Sequence, residues 1–304
     1  MATIIVFDRY GPPDVLHPVE TPDPVAGPGE IRIRVRAAGV QPFDCATRRG
    51  DFAQYSPLRF PARLGNEAAG VIDQVGDGAG QFAAGQEVIA FMTMLGYADT
   101  VVVPASQAAA KPAAMPWPEA GVLSASGQTA DTALDELHVE PGDTVLIHAA
   151  AGGVGSFAVQ LARGRGATVI GTASPRNHDY LRALGAIPVS YGPGLEDRAR
   201  AAAPGGIDAV LDGIGGDALD ASMKLVADTT RIVTIADWTA PARLGIRRIG
   251  TDRSAARLTS LIRRYAEGGL TIPVAGTFPL ASAADAHEEA ETGHVRGKIA
   301  LTAE

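Results

Sequence analysis

The sequence predicts an α/β protein of two domains, one a doubly wound parallel sheet and the other rich in β-strands. Three features carry that prediction. Residues Asp143–Gly155, DTVLIHAAAGGVG, join a short apolar run to a glycine turn, and Val154, Phe157, Ala158 and Leu161 follow at helical spacing. Beyond Pro112–Pro118 helical and strand patterns alternate, the order of a parallel sheet covered on both faces. Before it, period-two alternation broken by glycines and prolines gives mainly strands.

In chain order, Thr3–Phe7 is the first strand, and the prolines of Tyr10–Pro28 make that stretch mostly loop. Glu30–Ala38 sets Ile31, Ile33, Val35 and Ala37 against Arg32, Arg34 and Arg36, a strand with one buried and one solvated face. Ala68–Val75 and Glu87–Phe91 continue the pattern around the turn Gly76–Gly85, and Thr100–Val103 stops at Pro104. A helix is expected from about Glu119 to Leu137, then a buried strand Thr144–Ala149 and its helix to about Arg163. Strands at Thr168–Thr172, Ile187–Ser190, Ile207–Asp212 and Arg231–Ile235 follow, with helical segments between them. Leu258, Leu261, Ile262 and Tyr265 form a helical stripe closed by Gly268-Gly269. The tail offers a helix around Ala283–Glu291 and a strand at Ile299–Leu301.

A chain of 304 residues is long enough for two domains, and 46% hydrophobic with 20% charged residues is ordinary globular composition. The net charge of −8 argues against nucleic acid or an anionic membrane as partner. Cys45 is the sole cysteine, so no intrachain disulfide can form and a reducing cytoplasm is the expected home. No apolar run approaches the roughly 20 residues of a membrane span. No basic stretch with an apolar core opens the sequence, so no signal peptide is expected.

A strand, a glycine turn and a helix together are the setting in which backbone N–H groups and a helix dipole hold a diphosphate. Ala151, Gly152, Gly153, Val154 and Gly155 are the candidate cradle. The strict Gly-x-Gly-x-x-Gly spacing is not met, because Ala150 stands first, with Gly152 and Gly155 in the other two places. Gly213 and Gly215 follow a later strand end, where open α/β sheets place ligands; a plain tight turn is the alternative.

AAAGGVG followed by Ala158-Val159-Gln160-Leu161-Ala162 resembles the nucleotide loop of the medium-chain dehydrogenase/reductase superfamily, in its zinc-free quinone oxidoreductase branch related to zeta-crystallin. The likeness runs almost from end to end. It takes in Pro28-Gly29-Glu30, Ala37-Ala38-Gly39-Val40, Val71 to Gly76, Gly96-Tyr97-Ala98, Thr129-Ala130, Leu184-Gly185-Ala186, Asp212 to Gly216 and Gly297-Lys298-Ile299. It implies a GroES-like catalytic domain of residues 1–118 and 269–304, made discontinuous by a returning tail. An NADP-binding Rossmann domain of residues 119–268 would lie between, and the protein would be a homodimer. The sequence pattern alone does not show the tail's return.

Alcohol dehydrogenases of the superfamily use zinc. Where the resemblance places their first ligand cysteine this chain has Gln41, and their Gly-His-Glu motif becomes Gly65-Asn66-Glu67. One cysteine cannot build their four-cysteine structural site, and the six histidines include no pair at helical metal-binding spacing. No metal is expected. Gln41 also replaces the branch's usual asparagine; its amide could bond an acceptor oxygen, the alternative being a loop glutamine in solvent. The branch's cleft tyrosine is Ala46 here, and Tyr55 nearby is a candidate replacement or surface packing. Asp44 matches the branch's Asn-Pro-x-Asp aspartate and either holds the loop or touches the acceptor.

Thr129 matches a threonine beside the nicotinamide, or is a helix-buried threonine. Lys298 of Gly-Lys-Ile either approaches the cofactor or is an exposed lysine on a closing strand. An NAD-preferring fold offers an acid about 20 residues beyond the glycine turn to bind the ribose 2′-hydroxyl. Here that strand ends Gly171-Thr172-Ala173-Ser174-Pro175-Arg176-Asn177, and the next acid, Asp179, lies too far along. Ser174 and Arg176 suit a 2′-phosphate instead. Tyr191 matches a tyrosine that the branch places near the adenosine phosphate. NADPH is therefore the expected cofactor, with a quinone or α,β-unsaturated carbonyl as the small-molecule acceptor held between the domains. The rivals are an enoyl-type tailoring reductase and a non-catalytic NADPH-binding protein.

Overall fold

The computed structural model describes residues 1–303, and they form two compact units. The first unit comprises Met1–Ala125, Arg253–Ala266 and the described chain from Ile272 onward; the second comprises Ser126–Asp252 with Glu267–Thr271. Helix Ala255–Ala266, expected within 119–268, packs in the first unit against strand Ala108–Ala110, with Leu258 and Leu261 buried.

Strand Glu30–Val40 organises the first unit. One edge pairs antiparallel with Glu67–Val75. The other edge is shared: its Glu30 end pairs with Thr100–Pro104 and its Val40 end with the tail strand Lys298–Thr302. Val274–Pro279 extends the sheet on one side, Glu87–Phe91 and Ala108–Ala110 on the other. Ile31, Ile33 and Val35 are buried, as alternation requires. Their arginine neighbours are not simply solvated. Asp73 is the extra residue of a bulge opposite Arg32 and Ile33, and its two oxygens lie 2.7 Å from Arg32 Nε and 2.7 Å from Arg34 Nε.

A second sheet has the order His17–Thr21, Ala2–Phe7, Ala62–Arg63. Its outer strand falls within the stretch expected to be mostly loop. Pro18 is tolerated there because an edge strand bonds on one side only. The helix expected from Glu119 to Leu137 is broken into Trp117–Gly121 and Ser124–Glu136. Gly121 lies so close to Ala37 that a Cβ on it would come within 2.6 Å of the Ala37 Cβ.

The second unit holds six parallel strands in the order Ile187–Ser190, Thr168–Ala173, Thr144–Ile147, Ala209–Asp212, Ile232–Thr234, Arg247–Arg248. In chain order this is 3-2-1-4-5-6, the doubly wound arrangement. Leu146, Ile170, Val210 and Ile232 are fully buried at its centre. The strand that opens it stops at Ile147 rather than Ala149, since Ala149 takes φ 53°, outside extended geometry. No helix among the described residues is long and apolar enough to cross a membrane.

Candidate functional site

Strands Thr144–Ile147 and Ala209–Asp212 are neighbours whose connections leave in opposite directions, so the loops beyond them frame the crevice where such sheets bind ligands. Gly152 caps the helix Gly153–Gly164, and Ala151, Gly153 and Val154 complete the turn. A Cβ at Gly155 would collide with the Ala149 carbonyl oxygen and the Ala150 Cα, so only glycine lets the helix start against its strand. A Cβ at Gly152 would meet the Ala149 oxygen alone, at 3.2 Å. The N-terminus of a twelve-residue helix entered through glycines suits a diphosphate.

The second turn is shaped by Asp212, which is fully buried. Its carboxylate accepts the N–H of Ile214 at 3.1 Å, that of Gly215 at 2.9 Å, and the Thr234 hydroxyl at 2.6 Å. Gly215 sits at φ 82°, and a Cβ at Gly213 would stand 3.2 Å from the His148 carbonyl oxygen. At the end of the second strand Ser174 is half-buried and accepts from Asn177 Nδ2 at 3.3 Å, while Arg176 is exposed. Asp179 lies in helix His178–Ala183 and pairs with Arg182 at 2.6 Å. Tyr191 is exposed, in a loop whose carbonyls at Ser190, Tyr191, Gly192 and Pro193 all accept from Arg198. Thr129 Oγ1 lies 2.6 Å from Thr251 Oγ1.

In the first unit Gln41 caps helix Pro42–Arg49, with Pro42 at its first position and Gly50 at φ 90° closing it. Gln41 is not a solvent-facing loop residue. It is buried, and its Nε2 donates to Glu67 Oε1. Asp44, fully buried at the third helical position, accepts the Gln41 N–H at 2.9 Å, Asn66 Nδ2 at 2.9 Å, the Gly65 N–H at 3.3 Å and the Tyr97 hydroxyl at 3.4 Å. Burial pushes its carboxyl up to about 6, against the pull of those N–H groups. Tyr97 in turn lies 2.9 Å from His287 Nε2.

Lys298 is not an exposed lysine on a closing strand. It is 3% exposed, and its ammonium lies 3.7 Å from Glu67 Oε1 and 3.4 Å from the Val40 carbonyl. Glu67 also accepts the Ala125 N–H at 2.7 Å, and a side chain at Gly39 would collide with its carboxylate. Burial pushes the Glu67 carboxyl up and the Lys298 amine down, each opposed by the charge of the other. Tyr55 stands apart from this network, two-thirds exposed. Sequence reasoning missed Glu67 as the hub; its signal was the acid retained in Gly65-Asn66-Glu67.

These donors do not fit zinc. Gln41 and Asn66 offer amide nitrogens already given to carboxylates, and Glu67 faces an ammonium. Among the described residues no three His, Cys, Asp or Glu side chains converge as a metal site needs.

A sequence model of zinc-binding dehydrogenases matches residues 184–301, and one of alcohol dehydrogenase GroES-like domains matches residues 27–113. The quinone oxidoreductase of Coxiella burnetii is 33% identical, with TM-score 0.90 over 100% of this chain and 99% of that one. The Escherichia coli quinone oxidoreductase complexed with NADPH is 27% identical, with TM-score 0.87 over 99% of this chain and 100% of that one. The mycoketide-CoA synthase of Mycobacterium tuberculosis is 40% identical over 223 residues, 70% of this chain and 5% of that protein. The matched region makes up about half of the length of other curated relatives.

Proposed function

Because the chain belongs to the quinone oxidoreductase branch of the medium-chain dehydrogenase/reductase superfamily, we propose that it is a metal-independent reductase passing hydride from NADPH to a quinone or an α,β-unsaturated carbonyl. The observation that carries this reading is the glycine turn on a doubly wound sheet with no acid at the end of its second strand. The reduced nicotinamide supplies the hydride when bound. The turn Ala151–Gly155 and the N-terminus of helix Gly153–Gly164 hold the diphosphate, with Gly213 and Gly215 lining the neighbouring turn. Ser174 and Arg176 receive the 2′-phosphate, Tyr191 borders the adenosine, and Thr129 positions the nicotinamide.

Gln41 orients the acceptor oxygen, and Asp44 and Glu67 fix Gln41 from its backbone and its amide. Lys298 acts through Glu67 rather than at the cofactor. With positioning as the main requirement and no general acid in evidence, water supplies the proton. The resemblance supports a homodimer, measurable by sedimentation, and the single cysteine, Cys45, a reducing cytoplasm.

The test is titration of NADPH and NADH, followed by turnover on a quinone panel and an enone panel. NADPH should bind more tightly. An exposed guanidinium–phosphate contact is worth about 1 kcal/mol, so Arg176→Ala should weaken NADPH roughly fivefold and leave NADH within about twofold. Tighter binding of NADH by the unmodified protein would overturn the cofactor assignment. A second reading, an enoyl-type reductase serving a biosynthetic assembly, draws on the similarity to mycoketide-CoA synthase. Turnover confined to enoyl thioesters would favour it.

A further inference from the structure

Beneath the two turns of the second unit lies a buried polar set that the reading above does not use. His148, 1% exposed, stands between strand Thr144–Ile147 and the glycine turn. Its Nε2 lies 2.7 Å from Ser222 Oγ and its Nδ1 3.1 Å from Thr172 Oγ1. The Ser222 hydroxyl already donates to the Ala218 carbonyl at 2.9 Å. Ser222 can therefore only accept from the ring, which places the proton on Nε2. In the neutral ring Nδ1 is then an acceptor, and the Thr172 hydroxyl is its donor.

Each partner holds a different part of the site. Thr172 accepts the Ala150 N–H on its carbonyl oxygen at 3.0 Å, so it grips the glycine turn as well as the ring. Ser222 closes helix Asp217–Ser222, which follows directly on the Gly213–Gly216 turn. The His148 N–H itself bonds the Leu211 carbonyl at 2.9 Å, on the strand that leads into that second turn. One donor and one acceptor on the same rigid ring thus join both turns.

We propose that His148 is a positioning residue for the dinucleotide, a neutral imidazole that locks the glycine turn and the Gly213–Gly216 turn into one frame. The proposal rests on the reading that a dinucleotide binds these turns. Burial brings the imidazole down to about 4, against the pull of Asp212, the charged group that faces it, so the ring stays neutral under ordinary conditions. A charged ring would present two donors and force the Thr172 hydroxyl to reverse.

The experiment measures NADPH dissociation constants, kcat at saturating NADPH, and thermal unfolding without cofactor. The variants are His148→Phe, Thr172→Val and Thr172→Ser. His148→Phe should weaken NADPH roughly tenfold or more with kcat nearly unchanged, because the turns shift while the reacting groups do not. Thr172→Val should weaken NADPH in the same sense, and Thr172→Ser, which keeps the hydroxyl, should bind as the unmodified protein does. A merely structural role would lower the unfolding temperature without moving the dissociation constant of the folded protein. Should His148→Phe fail to fold, the threonine pair decides the matter. NADPH binding within twofold of the unmodified protein in both Thr172→Val and His148→Phe, or in Thr172→Val alone where only it folds, would overturn the proposal and leave the functional reading standing. Failure of the unmodified protein to bind either dinucleotide would overturn both.

Discussion

Replacing Lys298 by methionine isolates the charge that holds the Gln41 network. The ammonium lies 3.7 Å from Glu67 Oε1, and at an effective dielectric near 20 that attraction is about 4–5 kcal/mol. Removing one partner of a buried pair generally costs about 3–5 kcal/mol, in agreement. Glu67 can escape part of this by taking up a proton, which makes the loss depend on pH. Burial already holds its carboxyl above the ordinary value of about 4.3, and losing the cation raises it further. A carboxyl raised in the folded state gives stability that is fully present below its unfolded pKa and is lost as pH rises through the folded one. Lys298→Met should therefore be mild near pH 5 and lose about 3–5 kcal/mol by pH 8. Glu67→Gln in the same chain removes the stranded charge and should restore most of that. Urea unfolding of the unmodified protein, Lys298→Met and the double variant at both pH values is the assay. Equal losses at pH 5 and 8, or a double variant no more stable than Lys298→Met, would refute the reasoning.

Gly155→Ala should cost about 1–3 kcal/mol, because its methyl group meets backbone that cannot yield, and Gly152→Ala should cost less stability yet still impair NADPH binding. Paired thermal melts and cofactor titrations separate the two. Asp44, with its folded pKa raised from 3.8 to about 6, gives stability present below about pH 4 and lost by pH 6. Asp44→Asn should flatten that slope in urea unfolding across the interval, at the expense of overall stability. Gln41→Ala should lower kcat/KM for the acceptor roughly 5- to 150-fold, with NADPH affinity nearly constant; loss of cofactor binding instead would argue against its assigned role.

The parallel sheet was legible because its strands are buried on both faces and read as short apolar runs between glycine turns, Thr144–Ile147 above all. Short edge strands such as His17–Thr21 and Arg247–Arg248 carry no such signature, since half of each strand's bonds and much of its surface are left open. Helix Pro42–Arg49 was not read from the sequence, because eight residues with few apolar side chains leave only Pro42, Asp44 and Gly50 at its ends as signal. The glycine turn could be found from the strand before it and the helix after it, whereas the Glu67–Lys298 pair spans most of the chain and no local pattern announces it. Burial of Lys298 is likewise a property of the assembled sheet. Nothing in Gly-Lys-Ile says whether that side chain faces water.

The sharing of one strand edge by two partners has a consequence for the order of assembly. Thr100–Pro104 follows Glu30 by some seventy residues and covers the first half of Glu30–Val40, whereas Lys298–Thr302, which covers its second half, is made only after residues 126–252 of the second unit. Residues 126–252 of the second unit, contiguous and built from neighbouring strands, have what they need to collapse well before that. The late pairing closes a loop of more than 250 residues, which costs only about 1 kcal/mol more in entropy than the shorter one, and it should follow the other pairings of the first unit. Throughout that interval the Val40 end of the strand presents unpaired N–H and C=O groups, the surface on which nascent chains join one another. Yield on expression is thus tied to how quickly Lys298–Thr302 pairs with it.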